Sequence, residues 1–280
     1  MMTGSCLCGK VGFQVDGILD DMSHCHCSIC RKTHGAPFAT YATCSAIQFA
    51  WTRGQDSIAQ HESSPGFTRT FCRHCSSSLP LSTKRGVHVP VGCLDDDPQC
   101  MPHKHIFCES AAPWHVIADA LPRYDTWDGD RTSVQMAQPA LGTAGDNTLR
   151  GSCLCGNVTF EVVEAFNRAH NCHCSRCRKS RAAAHASNGF TSIDGVRFTT
   201  GEDQIARFKL KEAQFFAVSF CCNCGSTVPR KDAERGIAVI PLSALDDDPR
   251  RTVDRHIFVG SKAAWYTLED SLPKFDAQAE

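Results

Sequence analysis

A spacing of cysteines, written twice along the chain, constrains the fold more than any other feature. Cys6/Cys8, Cys25/Cys27/Cys30 and Cys72/Cys75 read Cys-x-Cys, Cys-x-Cys-x-x-Cys and Cys-x-x-Cys. The same order returns as Cys153/Cys155, Cys172/Cys174/Cys177 and Cys221/Cys224. The flanks repeat as well. Gly4-Ser5-Cys6-Leu7-Cys8-Gly9 matches Gly151-Ser152-Cys153-Leu154-Cys155-Gly156, and His105-Ile106-Phe107 matches His256-Ile257-Phe258. The 280 residues therefore hold two copies of one unit, whose offset drifts by only a few residues. The boundaries read as 1–127 for the first copy, 128–147 for a linker rich in Gly, Ala, Thr, Gln and Pro, and 148–280 for the second.

Within each copy the local pattern is strand. Val11, Phe13 and Val15 alternate with polar or small residues, as do Val158, Phe160 and Val162. Val87-His88-Val89 and Ile237-Ala238-Val239 run into prolines that can end or edge a strand. Helical signals are short, with single turns expected at 111–118 and 262–269. The expected fold is mainly β, with short antiparallel strands joined by cysteine-bearing turns.

The chain carries 19 Cys, an odd number, and begins Met1-Met2-Thr3-Gly4 without a basic region followed by an apolar stretch. A cytoplasmic, reducing location and metal binding are expected, rather than a disulfide framework. Structural zinc takes four tetrahedral ligands. Two short pairs can supply them: Cys6, Cys8, Cys72 and Cys75 in one copy, Cys153, Cys155, Cys221 and Cys224 in the other. The trios Cys25, Cys27, Cys30 and Cys172, Cys174, Cys177 offer three ligands and leave a fourth position for a substrate atom, the arrangement of a reactive zinc. Up to four zinc ions per chain follow, two per copy. The competing reading closes the trios with His24, His26 or His34 in copy one and His170, His173 or His185 in copy two. His26 and His173 sit between ligands and are expected to turn away. Cys44, Cys93, Cys100, Cys108 and Cys222 fall outside the repeat and are expected to be buried as small hydrophobes.

The remaining charges narrow the partners. A net charge of −1 without an interleaved basic and aromatic patch argues against nucleic acid, and no apolar run is long enough to span a membrane. Arg31, Lys32, Arg178 and Lys179 follow the trios and are candidates for holding the carboxylates of an anionic thiol, with solvated surface charge as the alternative. Asp95-Asp96-Asp97-Pro98 and Asp246-Asp247-Asp248-Pro249 read as exposed turns rather than cation sites. Trp114 and Trp265 read as core or repeat-packing residues. Oligomeric state is not legible.

The order Gly-Ser-Cys-x-Cys-Gly, Cys-His-Cys-x-x-Cys-Arg-Lys and Phe-Cys-x-x-Cys resembles the glutathione-dependent formaldehyde-activating family, which includes the domain of centromere protein V. The resemblance covers both copies. It implies zinc-bearing domains of the β-tent kind, similar to a zinc-binding chaperone of Rab proteins. It implies a carbon–sulfur lyase that joins formaldehyde to glutathione, giving S-hydroxymethylglutathione, with the thiol sulfur at the three-cysteine zinc. A zinc-stabilised binding module without catalysis is the alternative. Copy one keeps the family's Gly35-Ala36-Pro37-Phe38, where copy two reads Ala182-Ala183-Ala184-His185. Copy two keeps Cys224-Gly225-Ser226, where copy one reads Cys75-Ser76-Ser77. The first difference favours copy one as the working site.

Overall fold

The alternating strands collect into small sheets because each has one apolar face to bury. The computed structural model describes residues 1–128 and 148–278. Apart from Asp128, the stretch read as a linker lies outside the described residues. In the first copy Met2–Ser5, Gly12–Val15 and Phe49–Arg53 form a three-stranded antiparallel sheet. A five-stranded sheet runs His105–Ile106, Asp20–Cys25, Ala39–Cys44, Gly86–Pro90, Leu81–Thr83, and Ile58–Ser64 pairs with Phe67–Cys72 as a hairpin. The second copy repeats the plan. Leu149–Ser152, Thr159–Val162 and Val196–Thr200 make the small sheet, while Arg168–Cys172, Ala186–Ser192 and Ile237–Pro241 centre the large one. Three pairings among the described residues depart from the antiparallel expectation: His105–Ile106 lies parallel to Asp20–Cys25, Arg255–Ile257 parallel to Arg168–Cys172, and Lys274–Phe275 parallel to Arg255–Ile257.

Phe13 and Phe160 point inward and are almost fully buried. Each ring lies against a glycine of the neighbouring strand, Gly4 or Gly151, where an added Cβ would come within 2.1 Å of the ring. The two prolines end their strands at Pro90 and Pro241.

The helices are not where the sequence pattern placed them. α1 spans Ser28–His34 and α2 spans Ser175–Arg181, each starting inside a cysteine trio. Gly35 and Ala182 end them in the left-handed region, at φ 61° and 48°. Near the expected turns the chain forms only short 3-10 segments, Cys108–Ser110 and Val259–Ser261, just ahead of 111–118 and 262–269.

The two copies pack face to face and exchange their C-terminal segments. Ala112 and Trp114 of the first copy are buried with Phe160, Val162, Ala238 and Ile240 of the second. Ala263, Trp265 and Tyr266 of the second are buried with Phe13, Met22, Phe38 and Val89 of the first. Gly92 approaches the backbone of Ala182 and Ala183 so closely that a Cβ would clash at 2.2 Å. Among the described residues no helix is long and apolar enough to cross a membrane.

Candidate metal centres

Folding brings the two distant cysteine pairs of each copy onto one point. The Cys6–Cys8 loop and the Cys72–Cys75 turn meet, and their four sulfurs lie within 4.8 Å of one another; Cys153, Cys155, Cys221 and Cys224 do the same. Cys6 and Cys8 Sγ are 3.4 Å apart and Cys8 and Cys72 3.7 Å. The matching distances in copy two are 3.5 and 3.8 Å. These are too long for a disulfide at about 2.05 Å. They match the edge of a sulfur tetrahedron around zinc, about 3.8 Å for Zn–S of about 2.3 Å. All 19 cysteines are free thiols. The sulfurs also receive backbone donors that favour the thiolate: Val11 N–H to Cys6 and Val158 N–H to Cys153, both at 3.3 Å. Ser76 reaches φ 59° where Gly225 sits at 72°, so the turn survives without glycine in copy one. The donor set fits a thiophilic ion such as zinc.

The trios form a second pair of centres. Cys25, Cys27 and Cys30 converge within 4.8 Å, as do Cys172, Cys174 and Cys177. Cys27 caps α1, its sulfur accepting the Cys30 N–H at 3.4 Å, and Cys174 does the same for α2. Among the described residues no histidine nitrogen or carboxylate joins either set of three. His24 is bonded to Thr40 at 2.8 Å. His34 Nδ1–H donates to the Arg181 carbonyl, and its Nε2 meets the Tyr41 hydroxyl, both at 2.8 Å. His170 lies against the Phe190 ring, and His185 against those of His173 and Tyr266.

His26 and His173 head matching chains that the sequence reading missed. His26 Nε2 meets His105 Nδ1 at 2.8 Å, and His105 Nε2 donates to the Asp119 carboxylate at 2.9 Å. His173, His256 and Asp270 repeat the chain, with both links at 2.9 Å. The carboxylate fixes the proton on Nε2 of the middle histidine, so His26 and His173 donate from Nε2 and present a bare Nδ1. Those two Nδ1 atoms are buried without a partner. The repeated His-Ile-Phe motif was the signal that could have found these chains.

The residues expected to meet a substrate are placed differently. Lys32 reaches across to the other copy, donating to the Ser152 carbonyl and hydroxyl at 2.7 and 2.8 Å and to Asp246 at 2.6 Å. Lys179 mirrors it on Ser5, the Cys93 carbonyl and Asp95. Both lysines join the copies rather than facing solvent. Arg31 is buried and donates to the His26 carbonyl at 3.3 Å, whereas Arg178 Nε is buried without a partner. The aspartate runs are not all exposed. Asp247 is fully buried, because its carboxylate is drawn in by Arg150 through the backbone N–H and the guanidinium at 2.7 to 3.0 Å. Of the unmatched cysteines, Cys44 and Cys93 are buried, Cys100 and Cys108 half-buried, and Cys222 is exposed. Cys222 thus departs from the small-hydrophobe expectation: it turns outward beside the buried Cys221.

A mainly β chain that gathers its cysteines into two sets able to hold a metal ion in each of two exchanged halves defines the class. The chain belongs to the glutathione-dependent formaldehyde-activating enzyme family, whose model matches residues 1–110 and 148–261. A protein of Halomonas elongata, provisionally described as a glutathione-dependent formaldehyde-activating enzyme, is 32% identical over 128 residues, covering 42% of this chain and 81% of that protein. A crystal structure of a Rhodobacter sphaeroides protein aligns at 27% identity with a TM-score of 0.29, covering 34% of this chain and 88% of that one.

Proposed function

We propose that the chain is a zinc-dependent carbon–sulfur lyase of the S-hydroxymethylglutathione synthase type. It works in the cytoplasm on the adduct of a glutathione-like thiol with formaldehyde or a related aldehyde. Up to four zinc ions bind, two per copy. Neither nucleic acid nor a membrane is a partner. The units are 1–127 and 148–280, joined by 128–147. The observation that carries this reading is the pair of convergent three-sulfur sets, beside four-sulfur sets in the same fold, together with family membership.

When bound at a trio, zinc supplies the positive charge that keeps a thiol ionised at neutral pH. Cys25, Cys27 and Cys30, or Cys172, Cys174 and Cys177, would hold the ion through three sulfurs and would leave room for the substrate sulfur. Three thiolate donors would leave such an ion a poor acid toward water and would suit it to thiol exchange. The substrate thiolate adds to the aldehyde carbon. A sulfur–carbon bond forms, the carbonyl π pair moves to oxygen, and the oxygen takes up the proton the thiol released. The lyase direction reverses these steps. A zinc-stabilised module without catalysis is the second reading, favoured for the first copy alone by the burial of its trio.

The test is exchange NMR of labelled formaldehyde with glutathione, which also combine without an enzyme. Wild-type protein should speed exchange above that background, and a Cys27→Ser, Cys174→Ser double variant should not. Equal rates for the two proteins would refute the reading.

A further inference from the structure

The two trios sit in different surroundings. In the first copy all three sulfurs are buried, at 7%, 2% and 4% exposure. Ile29, Tyr41, Phe107 and Trp127 pack against them. Arg69, itself buried, points Nη2 at Cys30 Sγ at 3.5 Å and Nη1 at the Tyr41 hydroxyl at 3.1 Å. Tyr41 in turn meets His34, and His34 the Arg181 carbonyl. The side chains in this chain all have partners, and the guanidinium already answers the excess negative charge of three thiolates around a divalent ion.

The second copy breaks this chain at each point. Val218 holds the place of Arg69, Asn188 that of Tyr41, Arg181 that of His34 and Arg176 that of Ile29. Cys174 and Cys177 are half-exposed. Arg181 lies one helical turn from Cys177 on α2, and Asn188 shares a strand face with Ala186, the partner of Cys172. Arg181 Nη1, Asn188 Oδ1 and Thr227 Oγ1 are all buried without a hydrogen-bond partner, in residues at least nine-tenths buried. Arg230 is held by Asp232 at 2.7 Å, and Asp232 is shared with Arg235, so the neighbouring cations are balanced. Arg181 is not. Burial brings it down to about 10, against the pull of the Cys177 thiolate.

We propose that the second copy holds the substrate site and the first a closed centre, and that Arg181, with the Thr227 hydroxyl packed against the same Gly35, takes the carboxylate of an incoming thiol. The assignment rests on the thiol-handling reading above and reverses the preference that the Gly-Ala-Pro-Phe motif suggested. A buried guanidinium with an unpartnered Nη1, one helical turn from a partly exposed cysteine of the trio, selects a thiol that carries an anion a few bonds from its sulfur.

The test titrates the full-length, zinc-loaded protein with 3-mercaptopropionate and 2-mercaptoethanol, which share a thiol but not a carboxylate. One site per chain is expected, with the carboxylate thiol bound about tenfold more tightly. Arg181→Gln should erase most of that preference, Arg181→Lys restore part of it, and Arg69→Gln leave it within about twofold. Neither arginine is a metal ligand, so zinc content should stay at the wild-type level, and loss of zinc from Arg181→Gln would make Arg181 a structural prop and overturn the assignment. Two equal sites, or a preference that follows Arg69, would also overturn it. Binding of neither thiol would sink the thiol-handling reading along with it, whereas equal binding of both thiols at one site would sink only the role of Arg181.

Discussion

Trp114 and Trp265 are buried in each other's halves: Trp114 in the core of the second copy at 3% exposure, Trp265 in that of the first at 4%. The duplication is therefore an intramolecular pair with exchanged segments, in which neither core is complete alone. Truncating a buried tryptophan costs about 3–5 kcal/mol. Trp265→Ala should lower stability by that order and speed hydrogen exchange in residues 1–94, with Trp114→Ala doing the same in 148–257. Loosening confined to the copy that carries the substitution would contradict the exchange.

Lys32 and Lys179 give a second test of the same interface. Each spends its ammonium on the other copy, Lys32 on Ser152 and Asp246 and Lys179 on Ser5, Cys93 and Asp95. Lys32→Met should cost about 2 kcal/mol in denaturant unfolding, because charged hydrogen bonds are lost from a partly buried site. Thiol affinity should stay within about twofold. A large affinity loss with unchanged stability would return Lys32 to the substrate.

On the proposed reading, zinc at the four-sulfur sets would hold the Cys6–Cys8 loop to the Cys72–Cys75 turn, and a structural zinc is worth on the order of 10 kcal/mol to a fold. Cys75→Ser should fail to fold or lose its near-ultraviolet signal. Cys174→Ser, at a half-exposed trio, should lose one metal yet keep its melting temperature within about 5 °C. Metal analysis and thermal scans check both. Equal damage from the two substitutions would deny the division between closed and open centres.

His34 makes stability depend on pH. Burial holds it down to about 4, although Cys30 and the Arg181 carbonyl pull the other way. The unfolded chain takes up that proton near pH 6.5, well above the folded value. Stability is therefore fully present above about pH 6.5 and falls as pH drops toward 4, by up to about 1.4 kcal/mol per unit for this one group. His34→Gln should flatten that part of the curve in urea titrations between pH 4 and 7. An unchanged slope would show that His34 takes up its proton as readily in the folded chain as in the unfolded one.

The metal-binding skeleton was legible because thiolate spacing is a local signal: Cys6/Cys8 and Cys72/Cys75 each lie on one turn, and the repeat showed that they go together. The strands around Phe13 and Phe160 followed from period-two burial. The helices Ser28–His34 and Ser175–Arg181 escaped notice because seven residues carry no apolar period; a cysteine cap starts each, and a left-handed residue ends it. Which copy a segment packs against was beyond reach, since Trp114 reads the same in either core. Arg69, Tyr41, Arg181 and Asn188 were missed because they are single residues in strands or at a helix end, and only folding sets them beside the trios.

The central claim is that each half carries one centre of four sulfurs and one of three. Metal analysis joined to zinc-edge X-ray absorption tests it on the protein as purified, with and without glutathione. The account predicts four zinc ions per chain in a shell dominated by sulfur at about 2.3 Å, with a change at the open site when glutathione is added. Two or fewer zinc ions, or a histidine nitrogen completing both trios, would contradict it.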